Sequence, residues 1–276
     1  MIRNLFKAVI PMLAIGMISA SNPAQAQSVT PNLGTTVPGS FTVDRYAPTG
    51  FTLTNGFQGR NDVLNISITS ATNSANRPGG QQGTFYNTQG MKTDVSTLGS
   101  WSFQSDIWIE SYWNNTQRGI VRSDMWATAT DDANTSNPSA YPIVGFTNYG
   151  GTGMFRGYDV NSGAWLNFAN AVNFGSWNTM AMAFDAGTNI FSYYINGALA
   201  GSVLGAYPTT GVSDVMYQAY NFNDPALGIS GNPDYMVRYS NTPGGQEVVP
   251  EPATMTLLAT GLAGMAAAQK RKKKQA

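Results

Sequence analysis

The chain of 276 residues contains no histidine and no cysteine, and its 15 basic residues balance its 15 acidic residues. Without these two residue types, a Ser-His-Asp triad, a cysteine nucleophile and zinc bound through histidine or cysteine are all excluded. Acid–base chemistry therefore falls to carboxylates, and any metal site must use oxygen ligands.

The first predicted element is an export signal at the N-terminus. Arg3 and Lys7 give it a basic start, residues 8–18 form an uncharged apolar run, and a small-residue Ala-Gln-Ala site ends at Ala26. This order is that of a secretory signal peptide. We expect signal peptidase to cleave after Ala26 and the mature chain to begin at Gln27.

The central part of the chain is predicted to be all-β. Aromatic and β-branched residues are abundant, Gly, Asn, Ser and Thr separate them, and no long 3.6-residue periodicity occurs. The strand candidates are Val63–Ile68, Trp101–Tyr112, Gly119–Ala127, Ile143–Thr147, Thr179–Phe184, Ile190–Ile195, Ala198–Val203, Val215–Ala219 and Met236–Tyr239. Many short strands at this spacing are typical of an antiparallel β-sandwich or barrel.

One hairpin is predicted in the sequence FSYYINGALAGSV. Asn196 and Gly197 supply the two positive-φ positions of a type I′ turn between the strands Ile190–Ile195 and Ala198–Val203. Turn chemistry explains both residues without a binding role.

The segment FGSWNTMAMAFDAGTNIFSYYINGALAGS resembles the central strands of concanavalin A-like and laminin-G-like jelly rolls. Trp177 opens a strand, Asp185 follows an aromatic residue in a turn, and the next strand ends in Asn196-Gly197. The resemblance implies a jelly-roll β-sandwich over residues 41–243. It implies no activity, because this scaffold occurs in lectins, glycanases and adhesive modules alike.

The first candidate site lies on the strand WSFQSDIWIESYW. Alternation places Trp101, Phe103, Ile107 and Ile109 on a core face, and it places on the opposite face Gln104, Asp106, Trp108, Glu110 and Tyr112. Two carboxylates beside an aromatic ring suit a sugar, which needs hydrogen-bond acceptors for its hydroxyls and a ring for its apolar face. A plain solvated strand face is the alternative.

Catalysis at this candidate site is disfavoured by geometry. Asp106 and Glu110 are four positions apart, which separates their backbones by ~13 Å on a strand. Glycoside hydrolases hold their carboxyl groups ~5–5.5 Å or ~6.5–9.5 Å apart. We therefore expect binding without catalysis, with a glycoside hydrolase as the less favoured alternative.

The following strand, GIVRSDMWA, repeats the pattern. Arg122, Asp124 and Trp126 share one face, so they could extend the same groove, although an ordinary ion pair explains the first two equally well. No cofactor is evident. Asp131, Asp132 and Asn134 provide oxygen ligands for a possible Ca²⁺ site, but the spacing is not that of an EF-hand and a polar loop is the simpler interpretation.

The C-terminal segment has three parts. Pro250-Glu251-Pro252 precedes the uncharged stretch 253–268, and five basic residues follow at 270–274. The stretch is short for a membrane helix, but a basic cluster after an apolar segment is the positive-inside signal. The arrangement resembles the PEP-CTERM sorting signal. That resemblance implies a Gram-negative bacterium, a transient inner-membrane anchor through 253–268, and processing by an exosortase near the motif.

Removal of both terminal segments changes the charge. Residues 27–249 hold eight basic and 14 acidic residues, a net charge of −6, which argues against nucleic acid as a partner. The predicted domains are a signal peptide (1–26), an N-terminal linker (27–40), a sandwich (41–243) and a sorting segment (244–276). The sequence thus favours a protein of the cell surface or extracellular matrix that binds polysaccharide. A structural or adhesive matrix protein without a discrete ligand site is the alternative.

Overall fold

Two eight-stranded β-sheets form the part of the chain that the computed structural model describes, residues 26–132 and 134–241. The strands are β1 (Gln27–Ser28), β2 (Thr42–Val43), β3 (Gly50–Thr54), β4 (Val63–Ile68), β5 (Thr88–Leu98), β6 (Trp101–Ile109), β7 (Arg122–Thr130), β8 (Pro138–Ala140), β9 (Ile143–Thr147), β10 (Met154–Tyr158), β11 (Trp165–Asn167), β12 (Ser176–Asp185), β13 (Ile190–Ile195), β14 (Ala198–Leu204), β15 (Gly211–Tyr220) and β16 (Tyr235–Ser240). The helix α1 (Leu33–Thr36) and short 3-10 helices at Ser70–Thr72, Ser74–Asn76, Thr84–Asn87, Ser111–Asn114 and Pro225–Leu227 complete the elements.

The chain crosses repeatedly from one sheet to the other. Sheet A has the order β14-β13-β12-β6-β16-β4-β3, with β1 beside β6, and sheet B has the order β11-β10-β9-β7-β15-β5-β2, with β8 beside β7. The pairs are antiparallel except for β1 with β6. This arrangement confirms the predicted antiparallel jelly-roll sandwich.

The core lies between the inner faces of the sheets. Trp101, Phe103, Ile107 and Ile109 of β6 are all fully buried, so the predicted core face of this strand is confirmed. Phe103 meets the ring of Tyr217 from sheet B at a centroid distance of 5.4 Å. Burial of such aromatic side chains supplies much of the stability of a sandwich, since each removes a large apolar area from water.

Local sequence patterns predict several elements correctly. The observed β4, β9 and β13 have the bounds that the sequence indicates. Asn196 and Gly197 have φ angles of 51° and 78°, which confirms the positive-φ turn between β13 and β14.

Two of the boundaries that differ from the prediction bear on the candidate site. β6 ends at Ile109, because Ser111–Asn114 turns into a 3-10 helix, so Tyr112 is not part of the strand. β7 begins at Arg122, because Gly119 adopts a φ of 110° that a regular strand cannot accommodate. The sequence also gave no indication of β3, β5 or β10.

The predicted N-terminal linker, residues 27–40, is instead part of the sandwich. Its first two residues form β1 and pair with β6. Val29 and Leu33 are buried in the main core. These two hydrophobic residues anchor the segment, although its sequence shows neither strand nor helix periodicity.

The terminal predictions fall mostly outside the described residues. Residues 1–25 and 242–276 lie beyond them, and these include most of the predicted signal peptide and the motif residues Pro250, Glu251 and Pro252. Ala26 and Gln27 are described. Between residues 26 and 241, excluding 133, no helix has the length and apolar character needed to cross a membrane.

Candidate functional site

The two predicted groups of site residues lie on opposite sides of the sandwich. Asp106 and Trp108 are on β6 of sheet A, whereas Asp124 and Trp126 are on β7 of sheet B. Both groups point away from the core, because the alternate residues of each strand fill it. The expectation that they line one groove is therefore wrong.

A loop covers the outer face of sheet A. Residues 55–62, between β3 and β4, form a tight hairpin in which Phe57 and Arg60 exchange backbone hydrogen bonds of 2.9 and 3.0 Å. Gln58 and Gly59 make the turn with φ angles of 48° and 76°. This turn places both the Phe57 ring and the Arg60 guanidinium on the face that was expected to be an open groove.

Trp108 packs beneath this loop. The ring of Phe57 meets it edge-on at a centroid distance of 5.4 Å, and the ring of Trp177 on β12 lies 5.7 Å away. Trp177 also donates a hydrogen bond from Nε1 to the carbonyl oxygen of Gln58 at 3.2 Å. Trp108 is half-buried in this three-ring cluster and does not offer a free stacking surface.

Each carboxylate on this face has its own arginine. Asp106 is 5% exposed, lies 2.7 Å from Nη2 of Arg60, and accepts a hydrogen bond of 2.6 Å from the Thr179 hydroxyl. Glu110 accepts a hydrogen bond of 2.9 Å from Nη1 of Arg238. The charges are matched one to one, so these carboxylates have little reason to engage a ligand.

Tyr112 lies away from both sheet faces. It is 40% exposed on the 3-10 helix that follows β6, with the guanidinium of Arg118 at 5.3 Å from its ring. Burial and the nearby Glu110 raise the pKa of its hydroxyl. Tyr112 therefore lies beyond the end of β6, near Glu110 but outside the strand that carries Asp106 and Trp108.

The outer face of sheet B contains an ion cluster centred on Asp124. Gln218, Asp124, Gly145 and Arg156 stand side by side in register across β15, β7, β9 and β10. Asp124 is 1% exposed, and its carboxylate lies 2.6 Å from Nε of Arg122 and 3.8 Å from Nη2 of Arg156. A Cβ atom at Gly145 would collide with the Asp124 carboxylate, so glycine gives the room that this contact needs.

Trp165 from the edge strand β11 lies over this cluster. Its ring centroid is 3.6 Å from the guanidinium of Arg156 and 4.9 Å from that of Arg122. Tyr220 approaches Arg122 from the other side at 5.1 Å. Burial lowers the pKa of Arg156 to about 10, Arg122 acts in the same direction, and Asp124 opposes both.

Several buried polar atoms on this face have no hydrogen-bond partner within the described part of the chain. They are Asp124 Oδ1, Arg156 Nε, Arg156 Nη2, Gln218 Oε1 and Trp126 Nε1. Native proteins pair nearly all buried polar groups, so such a concentration calls for a partner such as a ligand or ordered water. On the outer face of sheet A, Trp108 Nε1 is the buried polar atom that has no hydrogen-bond partner within the described residues.

A cleft of about 740 Å³ opens beside Trp126 at the other end of the same face. The guanidinium of Arg45 stands between two rings, 4.4 Å from that of Trp126 and 4.7 Å from that of Phe85. Phe85 and Tyr141 are 61% and 46% exposed, so both offer ring surface to solvent. Aromatic surfaces beside charged groups are what a sugar-binding cleft requires.

Two carboxylates line this cleft. Asp44 is 3.5 Å from Nε of Arg45, and Asp214 is 3.6 Å from Nζ of Lys92. Burial raises the pKa of Asp44, Asp214 contributes in the same direction, and Arg45 and Lys92 oppose them. The two carboxyl groups of the cleft therefore have different environments.

The loop proposed for Ca²⁺ uses its carboxylates internally. Asp132 accepts hydrogen bonds from the backbone and side chain of Ser136, and Asp131 accepts one of 2.6 Å from the Asn137 amide. Within residues 26–132 and 134–241, no group of three or more acidic residues is placed to hold a metal ion. A calcium ion at this loop remains a prediction from sequence.

Sequence reasoning missed Arg156 and Gln218, and it favoured a core position for Trp165 over a place at the rim of a groove. Arg156 and Trp165 lie on short strands that were not predicted, and Gln218 lies on the predicted strand Val215–Ala219 but belongs to no motif. Alternation along MFRGY would have placed Arg156 opposite the buried Phe155, once β10 was recognised.

Residues 248–272 match the family model of the PEP-CTERM protein-sorting motif. The match confirms the predicted PEP-CTERM sorting signal and indicates an exported protein that is sorted to the cell surface through exosortase. No curated protein matches the sequence of the chain.

Among solved structures, the chain is similar to a sialidase (TM-score 0.44, 11% identity, 73% of this chain and 16% of that chain). It is also similar to the Bacillus licheniformis β-glucanase (TM-score 0.38, 16% identity, 74% and 90% covered). A third is the carbohydrate-binding module CBM66 from Bacillus subtilis (TM-score 0.34, 12% identity, 66% and 91% covered). At such identities and TM-scores the similarity assigns no activity to this chain.

Proposed function

We propose that this exported protein binds extracellular polysaccharide, without cleaving it, on the outer face of sheet B. The observation that carries the proposal is the cleft of about 740 Å³ beside Trp126, which combines exposed rings with paired charges. Its volume is in the range of small-molecule sites, about 300–1,000 Å³. Phe85 and Tyr141 can stack on sugar rings, and Asp44, Arg45 and Asp214 offer hydrogen bonds to hydroxyls.

Under this proposal, the site residues predicted from sequence fall into two groups. Arg122, Asp124 and Trp126 lie on the binding face. Asp106 and Trp108 instead hold the 55–62 loop, Glu110 pairs with Arg238, and Tyr112 lies beyond the end of β6, so we assign these four residues no ligand.

The binding test uses exposed aromatic residues, whose loss leaves the core unchanged. Phe85→Ala and Tyr141→Ala should each weaken binding in a polysaccharide array by about fivefold to a hundredfold, since stacking contributes about 1–3 kcal/mol. Tyr207→Ala is the matched control, because Tyr207 is 66% exposed and does not line the cleft. Unchanged binding in both cleft variants, or no binding by the mature chain to any polysaccharide, would favour the structural or adhesive role instead.

A second candidate function, glycoside hydrolysis, is favoured by one observation. Asp44 and Asp214 line the same cleft, and the raised pKa of Asp44 suits a general acid. Release of new reducing ends from a polysaccharide panel would support it, provided that Asp44→Asn and Asp214→Asn both abolish the release. Binding without new reducing ends would support the non-catalytic role.

We further propose that the protein reaches the surface or matrix of a Gram-negative cell after two cleavages. Signal peptidase cuts after Ala26, and exosortase processing near Pro250-Glu251-Pro252 removes the basic block at 270–274. The segment 253–268 holds the chain in the inner membrane only until then. Intact mass of the surface protein should show Gln27 as the first residue and no basic block, and a retained block would contradict the proposed processing.

A further inference from the structure

The cluster of Arg122, Asp124 and Arg156 contains a surplus of one positive charge. Two guanidinium groups face one carboxylate, whereas residues 27–249 as a whole contain eight basic and 14 acidic residues. Four of those eight basic residues, Arg45, Lys92, Arg122 and Arg156, lie on the outer face of sheet B or line its cleft. An acidic protein thus concentrates its few cations on the proposed binding face.

The hydrogen bonds of the two arginines show which of them is unsatisfied. Arg122 Nε donates to Asp124 Oδ2 at 2.6 Å. Arg156 is 8% exposed, and within the described residues its Nε and Nη2 atoms find no acceptor at hydrogen-bond distance. Asp124 Oδ1, at 3.8 Å from Nη2, is close enough for an ion pair but too far for a hydrogen bond. Buried guanidinium donors without acceptors are costly, so this arrangement suits an additional anionic acceptor.

The surrounding rings determine how such an acceptor can approach. Trp165 covers the face of the Arg156 guanidinium, and the Arg122 guanidinium lies between Trp165 and Tyr220. The planar edges, which carry the N–H donors, are the parts left for an oxyanion. Trp165 lies on a three-residue strand at the edge of sheet B, an element of the kind that opens locally at low free-energy cost.

We infer that the face of sheet B is specific for an acidic polysaccharide, and that Arg122 and Arg156 bind its anionic substituent after Trp165 moves aside. The inference rests on the proposed function. The substituent is a carboxylate, as in a uronic acid, or a sulfate ester, since both present a pair of charged oxygens that can accept two hydrogen bonds from a guanidinium. Trp126 is two residues beyond Asp124 on β7, about 7 Å away, and it lines the cleft in which the adjoining part of the same polysaccharide would lie.

The overall charge of the protein makes the test sensitive to local contacts. A body with a net charge of −6 repels polyanions at long range, so a preference for an acidic chain cannot come from non-specific attraction. The probes are polygalacturonate against its methyl-esterified, neutral form, and dextran sulfate against dextran. Each pair keeps the backbone and removes the charge.

The experiment measures binding of the mature chain and three variants to these four polymers by affinity electrophoresis, with tryptophan fluorescence as a second readout. Arg156→Gln and Arg122→Gln should each weaken binding to the acidic polymer by about tenfold or more, since a charge-assisted hydrogen bond contributes about 1.5–3 kcal/mol. Arg238→Gln, on the opposite face, is the matched control and should bind as the wild type does. A preference for polygalacturonate over its methyl-esterified form would identify the substituent as a carboxylate. A preference for dextran sulfate over dextran would identify it as a sulfate.

The outcomes separate this inference from the proposed function. Preference for an acidic polymer, lost in Arg156→Gln or Arg122→Gln and accompanied by a change in tryptophan fluorescence, supports it. Equal binding to charged and neutral polymers, or binding that neither arginine variant weakens, overturns the inference and leaves the proposed function standing. No binding to any of the four polymers overturns the acidic specificity, and binding to other, neutral polysaccharides would then retain the proposed function. If one arginine variant fails to fold, the other variant and the neutral polymers still decide the result.

Discussion

The two outer faces of the sandwich use similar residues but match them differently. On sheet A, Asp106 is paired with Arg60 and Glu110 with Arg238, so the carboxylates and guanidinium groups are equal in number. On sheet B, Asp124 alone faces two arginines and several buried polar atoms lack partners in the described structure. A tryptophan between charged residues is therefore not by itself evidence of a binding site. What distinguishes the faces is whether the protein already satisfies those groups.

The aromatic residues show the same contrast. Trp108 on sheet A is held between Phe57 and Trp177, and the 55–62 loop closes over it. On sheet B, Phe85 and Tyr141 remain largely exposed at the cleft. The ring of Trp108 thus contributes to folding, whereas the rings of Phe85 and Tyr141 are available for contact with a partner.

The largest effect is expected for Trp108→Ala. The substitution removes the centre of the three-ring cluster, and we expect it to lower the free energy of unfolding by about 2–4 kcal/mol, somewhat below the 3–5 kcal/mol of a fully buried aromatic. Urea unfolding measures this change. Phe85→Ala should change stability by less than about 0.5 kcal/mol. Equal effects of the two substitutions would break the comparison, because Trp108 would then be as free as Phe85.

A smaller effect is expected for Arg60→Gln. Asp106 is 5% exposed and would keep only the Thr179 hydroxyl as a partner, so the free energy of unfolding should fall by about 1–3 kcal/mol. Chymotrypsin should then cleave after Phe57 more readily, because the 55–62 loop loses its anchor. The control is Arg118→Gln, since Arg118 is exposed and contacts only the Tyr112 ring among the interactions described. If chymotrypsin cleaves the loop as slowly in Arg60→Gln as in the control, Arg60 does not hold the 55–62 loop in place.

The smallest effect is expected for Asp44→Asn. Burial raises the pKa of the Asp44 carboxyl. A carboxyl with a raised pKa contributes stability that is present below its unfolded pKa, about 3.9, and is lost as the pH rises through the folded value. The wild type should therefore lose stability relative to Asp44→Asn as the pH rises above about 4. Urea midpoints of both proteins at a series of pH values measure the difference. A difference of the opposite slope would mean that Arg45 and Lys92 outweigh burial at the cleft.

The sequence predicts the features of this protein that depend on neighbouring residues in the chain. Alternation identifies the core-facing residues of β6, and Asn196-Gly197 identifies the turn between β13 and β14. The three-part C-terminal segment is also local, and residues 248–272 match the sorting motif. These predictions succeed because spacing along the chain is sufficient information for each of them.

The features that decide between the two faces depend on distant contacts. The Arg60–Asp106 pair joins a loop to a strand in another part of the sequence, so nothing near Asp106 indicates that it is already neutralised. Likewise, Asp124 meets Arg156 only because β9 lies between their strands and has Gly145 at the register position between the two residues. Alternation shows which way a side chain points, but not what covers it.

Hydrogen–deuterium exchange of the mature chain, with and without its best-binding polysaccharide, tests most directly that the binding face belongs to sheet B. We predict that the ligand slows exchange in the cleft segments around Gln81–Tyr86 and Pro138–Tyr141, whereas exchange in the 55–62 loop of sheet A stays unchanged. Protection of the 55–62 loop without protection at the cleft would contradict the assignment of the binding face.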